Sequence, residues 1–303
     1  NGPRCSPAID GERVYSYGAE GKLTCLDFES GRLVWQRAVN AEYRVPQGFF
    51  GAGAAPVIEG NLVLVNLGGP DGAGVAAFDK LTGKTVWKTS NDGASYSTPV
   101  VRAIHGHRLA IFFTAAGLLV VEPATGAERY RFPFRSRTYE SVNAASPVVV
   151  DDVVFLSATY NTGAVALRLE PGGLRTLWAS RDAMQNHWAT SVYHQGNLYG
   201  MDGRHESGSN FRCIELSTGK VRWTADQGLG RASFLMADGH LVALGERGEL
   251  ALVEVNPEKY VEKARVKVLE YPCWTPPVLS HGLLYLRNEN QLACLDLREK
   301  EKR

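Results

Sequence analysis

Five carboxylates in this chain keep fixed company with an aromatic ring. Asp27, Asp79, Glu122, Glu170 and Glu215 stand eight residues before Trp35, Trp87, Tyr130, Trp178 and Trp223, with a glycine four or five positions before each ring. Neighbouring acids such as Asp27 and Glu29 could serve general acid–base catalysis. Five copies at one spacing argue instead for a structural repeat. A carboxylate ahead of a Thr-Gly turn can accept hydrogen bonds from that turn's free N–H groups. The ring then lies over the adjacent module, burying roughly 150 to 250 Å².

The other chemistry-bearing residues are sparser. His105 and His107 form an HxH pair of the kind that holds a divalent metal, yet no third ligand stands near them in sequence. His107, His194, His240 and His281 fall at or beside equivalent turns and read as surface residues, so no metal site is expected. Cys25, Cys213 and Cys294 each precede the repeat acid of their module by two residues ("TCLD", "RCIE", "ACLD") and read as small buried hydrophobes. Cys5 and Cys273 would be neighbours if a seven-module ring closes, which leaves a disulfide open. Their offsets from the following Pro differ by one residue, however, which reverses side-chain direction.

The elements that position these residues are short strands. Each module opens on a small residue and usually a Pro before an apolar run, as in "CSPAID", "GAAPVIEG", "STPVV", "ASPVVVDD" and "TPPVL". A two-residue turn, a second strand, a third strand ending on the acid, a Thr-Gly turn and a fourth strand ending on the ring follow. Ring-to-ring intervals of 52, 43, 48 and 45 residues fall in the range of stacked or radial arrays. Seven modules start near 5, 53, 96, 144, 188, 230 and 273. Four antiparallel strands per module predict an all-β, WD-like array, a β-propeller forming a single domain over 1–303. A linear β-solenoid is the rival, but its coils run at about 20 to 30 residues with parallel strands, and hairpin turns argue against it.

Composition narrows the partners. Lys plus Arg (33) nearly balance Asp plus Glu (32), so no net field draws the chain to nucleic acid or an anionic membrane. No run of 18 apolar residues exists, so no membrane-spanning helix is expected. The chain starts at Asn in mid-pattern and reads as a processed or truncated piece.

The "DxxTGKxxW" pattern of "DKLTGKTVW", looser in "ELSTGKVRW", resembles the repeat of the pyrroloquinoline-quinone-like (quinoprotein-like) β-propellers. That superfamily includes quinoprotein alcohol dehydrogenases and non-enzymatic relatives such as the outer-membrane assembly lipoprotein. The likeness covers essentially the whole chain, and "NGPR" and "MQNH" (184–187) are similar to segments of planctomycete-type bacterial members. The resemblance implies an eight-bladed parental ring with an N-terminal blade absent here. The last module ends in "REKEKR" where a "TGKxxW" strand is expected. It also implies a bacterial, periplasmic or otherwise exported protein. The dehydrogenases carry an adjacent Cys-Cys pair over the cofactor and a calcium site beside a catalytic Asp. No two cysteines here are adjacent, and no acid cluster supplies the second feature. The reading is therefore a non-catalytic scaffold, with no catalytic residues and no cofactor, that binds a protein or an extracellular polymer. The alternative is a dehydrogenase of alcohols or sugars using pyrroloquinoline quinone (PQQ) with calcium, in which Trp188 or another loop ring stacks on the quinone.

In a propeller, function sits on the loops at one face. The long ones here are 40–54, 67–74, 134–145, 159–163, 180–190 and 202–210. They offer Tyr43, Arg44, Phe50, Arg137, Tyr139, Asn143, Tyr160, Asn161, Gln185, Asn186, His187 and Trp188 as the ligand or partner face. Rings beside Arg and amide groups suit a carbohydrate, a planar cofactor or a peptide strand.

Overall fold

Short apolar runs joined by two-residue turns close into hairpins, and the second module shows how. Strands Val57–Glu59, Leu62–Asn66, Val75–Asp79 and Thr85–Thr89 pair in that order, each antiparallel to the last. Glu59 lies opposite Leu62, leaving Gly60 and Asn61 as the turn, with Gly60 at φ +56°. Such a turn matches the twist of the strands it joins. The equivalent turns hold His105 and His281, each at φ +50°.

The computed structural model describes residues 4–48, 51–138, 141–205, 208–226 and 228–298. Seven antiparallel sheets span 8–37, 57–89, 100–133, 148–180, 192–225, 232–267 and 278–296. Strands run in chain order across each sheet, four in the first six and three in the seventh. The α-helix among the described residues is a single turn, Val39–Glu42, which opens a segment expected to be loop. These sheets are the blades of a β-propeller. The chain divides into two compact units, Asn1–Ala158 with Leu167–Thr176, and Thr159–Ala166 with Leu177–Arg303.

Inside each unit, successive blades stack face to face. Tyr15, Tyr17, Leu23 and Cys25 of the first blade share a core with Val63, Val65 and Phe78 of the second. In the other unit Tyr199, Phe211 and Cys213 meet Leu241, Ala243 and Val253. The repeated acid and ring lock these stacks as expected. The Asp79 carboxylate accepts from the Leu81 and Thr82 N–H groups and the Thr82 hydroxyl at 3.2, 2.8 and 2.7 Å. Trp35, Trp87, Trp178 and Trp223 each donate an indole N–H to a backbone carbonyl of the next blade, at Lys80, Pro123, Leu216 and Asn256 (2.7 to 3.0 Å). The Tyr130 hydroxyl does the same to Glu170 at 2.8 Å. The ring settles on the turn glycine, which has no side chain to obstruct it. A Cβ on Gly126 would lie 2.6 Å from Trp87 Cε3.

Two cysteine expectations resolve differently. All five cysteines are free thiols. Cys25 and Cys213 are buried, but Cys294 is exposed, contrary to its reading as a buried hydrophobe. Cys25 and Cys213 sit opposite Trp35 and Trp223 on their fourth strands. The seventh sheet has no fourth strand among the described residues to cover Cys294, and Leu292 beside it is 73% exposed.

Candidate functional site

The loop between the fourth and fifth blades is held from beneath by an amide. Asn186, 1% exposed, donates from Nδ2 to the Met201 carbonyl at 3.0 Å and accepts from the Ser191 hydroxyl at 2.9 Å. Gly200 makes room for this clasp, since a Cβ there would meet Ser191 Oγ at 2.3 Å. The Gln185 N–H donates to Asp202 at 2.8 Å, and its carbonyl accepts from the Gly203 N–H at 3.0 Å. These two residues hold the loop so that the next two, His187 and Trp188, pack their rings 4.9 Å apart. The neighbouring turn places Tyr160 and Asn161 at φ +62° and +60°. Tyr160 meets His187 edge-on at 6.1 Å.

Two arginines cover these rings. Arg204 lies over Tyr160 at 4.4 Å and Arg231 over Trp188 at 4.7 Å, contacts that favour a cation. Arg231 is fixed by Glu246, which is 0% exposed. Its Nε lies 3.0 Å from both carboxylate oxygens, its Nη2 2.6 Å from one, and its backbone N–H 3.0 Å from the other. Trp274 donates its indole N–H to the same carboxylate at 3.3 Å. Burial pushes the Glu246 carboxyl up, but the hydrogen bonds and charge of Arg231 outweigh it and hold the group below its ordinary range. Burial, then the charges of Arg231 and Arg204, push His187 down to about 4, so it is neutral near pH 7. The Nδ1 of His187 and the Nε1 of Trp188 are buried without a hydrogen-bond partner.

The candidates in the first unit are separately engaged. Tyr43 shares a 2.5 Å hydroxyl contact with Thr85 and packs near Phe78. Arg44, at φ +52°, pairs with Asp71. Asn143 is 4% exposed and clasps backbone as Asn186 does, donating to the Thr114 and Phe134 carbonyls at 2.8 and 3.2 Å. Arg137 is exposed, as is Asn161 in the other unit. Phe50 and Tyr139 lie outside the described residues. This unit also holds a half-open cavity of about 530 Å³ lined by residues including Tyr17, Asn40, Asn66 and Tyr96. His105 donates its Nε2–H to the Leu169 carbonyl at 2.8 Å, with the Asp152 carboxylate 3.9 Å from the same nitrogen. Among the described residues no cluster of three His, Cys, Asp or Glu side chains could hold a metal.

Sequence reasoning missed Arg204, Arg231, Glu246 and Trp274. The Arg231–Glu246 pair had a readable signal. Ala232 lies opposite Gly245 in the hairpin, so the residues just outside that rung must face each other.

Comparison with known proteins agrees with this architecture. The chain is 27% identical over 169 residues to the outer membrane protein assembly factor BamB of Burkholderia pseudomallei (strain K96243), a match covering 55% of this chain and 40% of that protein. The chain thus spans less than half the length of that relative. Among solved structures, BamB from Moraxella catarrhalis superposes with a TM-score of 0.69 at 14% identity, covering 96% of this chain and 81% of that one. A europium-containing methanol dehydrogenase gives 0.69 at 12% identity, covering 93% and 72%. At such identities both show the fold alone. Residues 1–225 match the family described as outer membrane protein assembly factor BamB, and with three quarters of its length in that match the chain belongs to this family of PQQ-like β-propeller repeats.

Proposed function

We propose that this protein is a non-catalytic propeller scaffold of an exported, periplasmic compartment, which holds a protein partner on its loop face. On the "NGPR" and "MQNH" segments we place it among the planctomycete-type bacterial members. The observation that carries the reading is the state of Trp188, the loop ring that the sequence names for stacking on a quinone. Arg231 covers it at 4.7 Å and His187 flanks it at 4.9 Å, while Arg231 is committed to Glu246. A planar cofactor would have to displace that ion pair, so these residues do not fit PQQ. Membership of the BamB family supports the same reading, since the relative's name describes assembly rather than oxidation.

The test is a titration of the purified chain with PQQ and calcium, following quinone absorbance and then dye reduction with alcohols and sugars. The expected result is no saturable absorbance change and no turnover. Saturable binding with turnover refutes the scaffold and establishes a dehydrogenase.

A further inference from the structure

One run of contacts in the second unit goes beyond holding loops together. From Arg204 and Tyr160 it passes through His187 to Trp188, then through Arg231 and Glu246 to Trp274, which meets Tyr271 edge-on at 6.3 Å. Arg231 also donates toward the Arg204 carbonyl at 3.4 Å, which ties the two arginine-bearing loops together. The middle of this run is partly buried and internally neutralised, because the fully buried Glu246 answers Arg231. Its two ends are exposed. Arg204 faces solvent on the Tyr160 ring, with no carboxylate beside it among the described residues. Tyr271 and Trp274 are 52% and 43% exposed.

A guanidinium braced on a ring has lost much of its freedom before any ligand arrives and presents its fork to a planar anion. Two half-exposed rings at the other end of the run supply apolar area. Arg, Trp and Tyr are the residues that dominate binding at protein interfaces. A nucleic acid or an anionic membrane would call for a field of many cations, whereas the chain's net charge is +1 and Arg204 is the guanidinium this run of contacts presents to solvent among the described residues. A protein segment bearing carboxylates between apolar side chains matches both ends.

We propose that this patch binds an acidic, aromatic-containing peptide segment, with a carboxylate on Arg204 and an apolar side chain against Trp274 and Tyr271. The proposal rests on the scaffold reading and names the chemistry of its partner.

The test is fluorescence anisotropy with a labelled eight-residue peptide alternating Asp or Glu with Phe or Val, set against its Asn and Gln counterpart. The acidic peptide is expected to saturate and to weaken as salt is raised, and its amide counterpart to bind about tenfold more weakly. Arg204→Ala is expected to cost the acidic peptide about tenfold and leave the amide peptide unchanged, with Arg204→Lys falling between. Equal binding of the two peptides overturns the proposal, as does an R204A protein that binds like the parent. Running the quinone titration on the same sample separates the two readings. Turnover removes the scaffold and this proposal together, whereas silence toward both quinone and peptide removes only the acidic partner.

Discussion

Replacing Glu246 by Gln tests whether the pair it forms with Arg231 holds this part of the molecule together. Glu246 is fully buried and the Arg231 side chain is 21% exposed. Gln keeps the shape and one acceptor but leaves the guanidinium without its counter-charge. Removing one partner of a buried pair costs about 3 to 5 kcal/mol. Arg231's partial exposure and Gln's remaining acceptor put E246Q near the lower figure, about 3 kcal/mol. In a unit of this size that corresponds to a fall in Tm of about 6 to 12 °C. Calorimetry and urea unfolding at pH 7 would measure it, with a cycle through Arg231→Met. The double variant is expected to be less destabilised than the sum of the singles by at least about 1.5 kcal/mol. The sign with pH follows from the lowered carboxyl. Its contribution is complete above the unfolded-state value of about 4.3 and is lost as pH falls through the lower folded value. The gap between parent and E246Q should therefore narrow below about pH 4.3. Additive single effects, or a loss under about 1 kcal/mol, would refute the reasoning.

Three further outcomes are expected. Gly126→Ala should cost about 2 to 4 kcal/mol in urea unfolding, because its φ of +74° and the Trp87 ring both oppose a Cβ; Gly106→Ala, at φ +78° but with open space around it, should cost only the conformational part, about 1 to 2 kcal/mol. Equal costs would mean that ring and glycine do not lock the blades. A maleimide added to the folded chain should label Cys294 first and reach Cys25 and Cys213 only on unfolding, as read by peptide mass mapping; prompt labelling of Cys25 would contradict its burial. NMR titration should find His187 neutral down to about pH 4. A depressed histidine contributes fully above its unfolded value of about 6.5 and loses that contribution as pH falls toward 4, so ordinary titration near 6.5 would mean the ring is not buried beside the arginines.

The fold was legible because its determinants are local. The acid, the Thr-Gly turn and the ring lie within nine residues of one another, and each contact they make repeats in the next blade at the same offset. Asp79 shows this, with a turn readable from "DKLTG" and a ring readable from spacing alone. Cys294 shows the limit. "ACLD" looks like "TCLD", but Cys25 is buried by a ring on a fourth strand, and the last module has none among the described residues. The candidate face was harder still. Asn186 and Asn143 were legible as loop amides and prove to be clasps on backbone carbonyls, because a buried carbonyl at a strand end needs a donor wherever the ladder stops.

The arginines mark where loop chemistry departs from the repeat. Arg231 and Glu246 are set opposite each other by a hairpin register, so they belong to one blade and not to the acid–turn–ring repeat. Nothing in the blade stack requires them, since Trp178 and Trp223 lock their neighbours without reference to either residue. A buried carboxylate and a ring-stacked guanidinium cost desolvation that an apolar pair would avoid. What they supply is a fixed platform, with Trp188 held beneath one arginine, Trp274 tethered at the other end, and Arg204 braced between loop and solvent. A scaffold that recognises a partner through a few pre-positioned side chains would use such a platform, and the Arg204 substitutions test that use without disturbing the pair beneath.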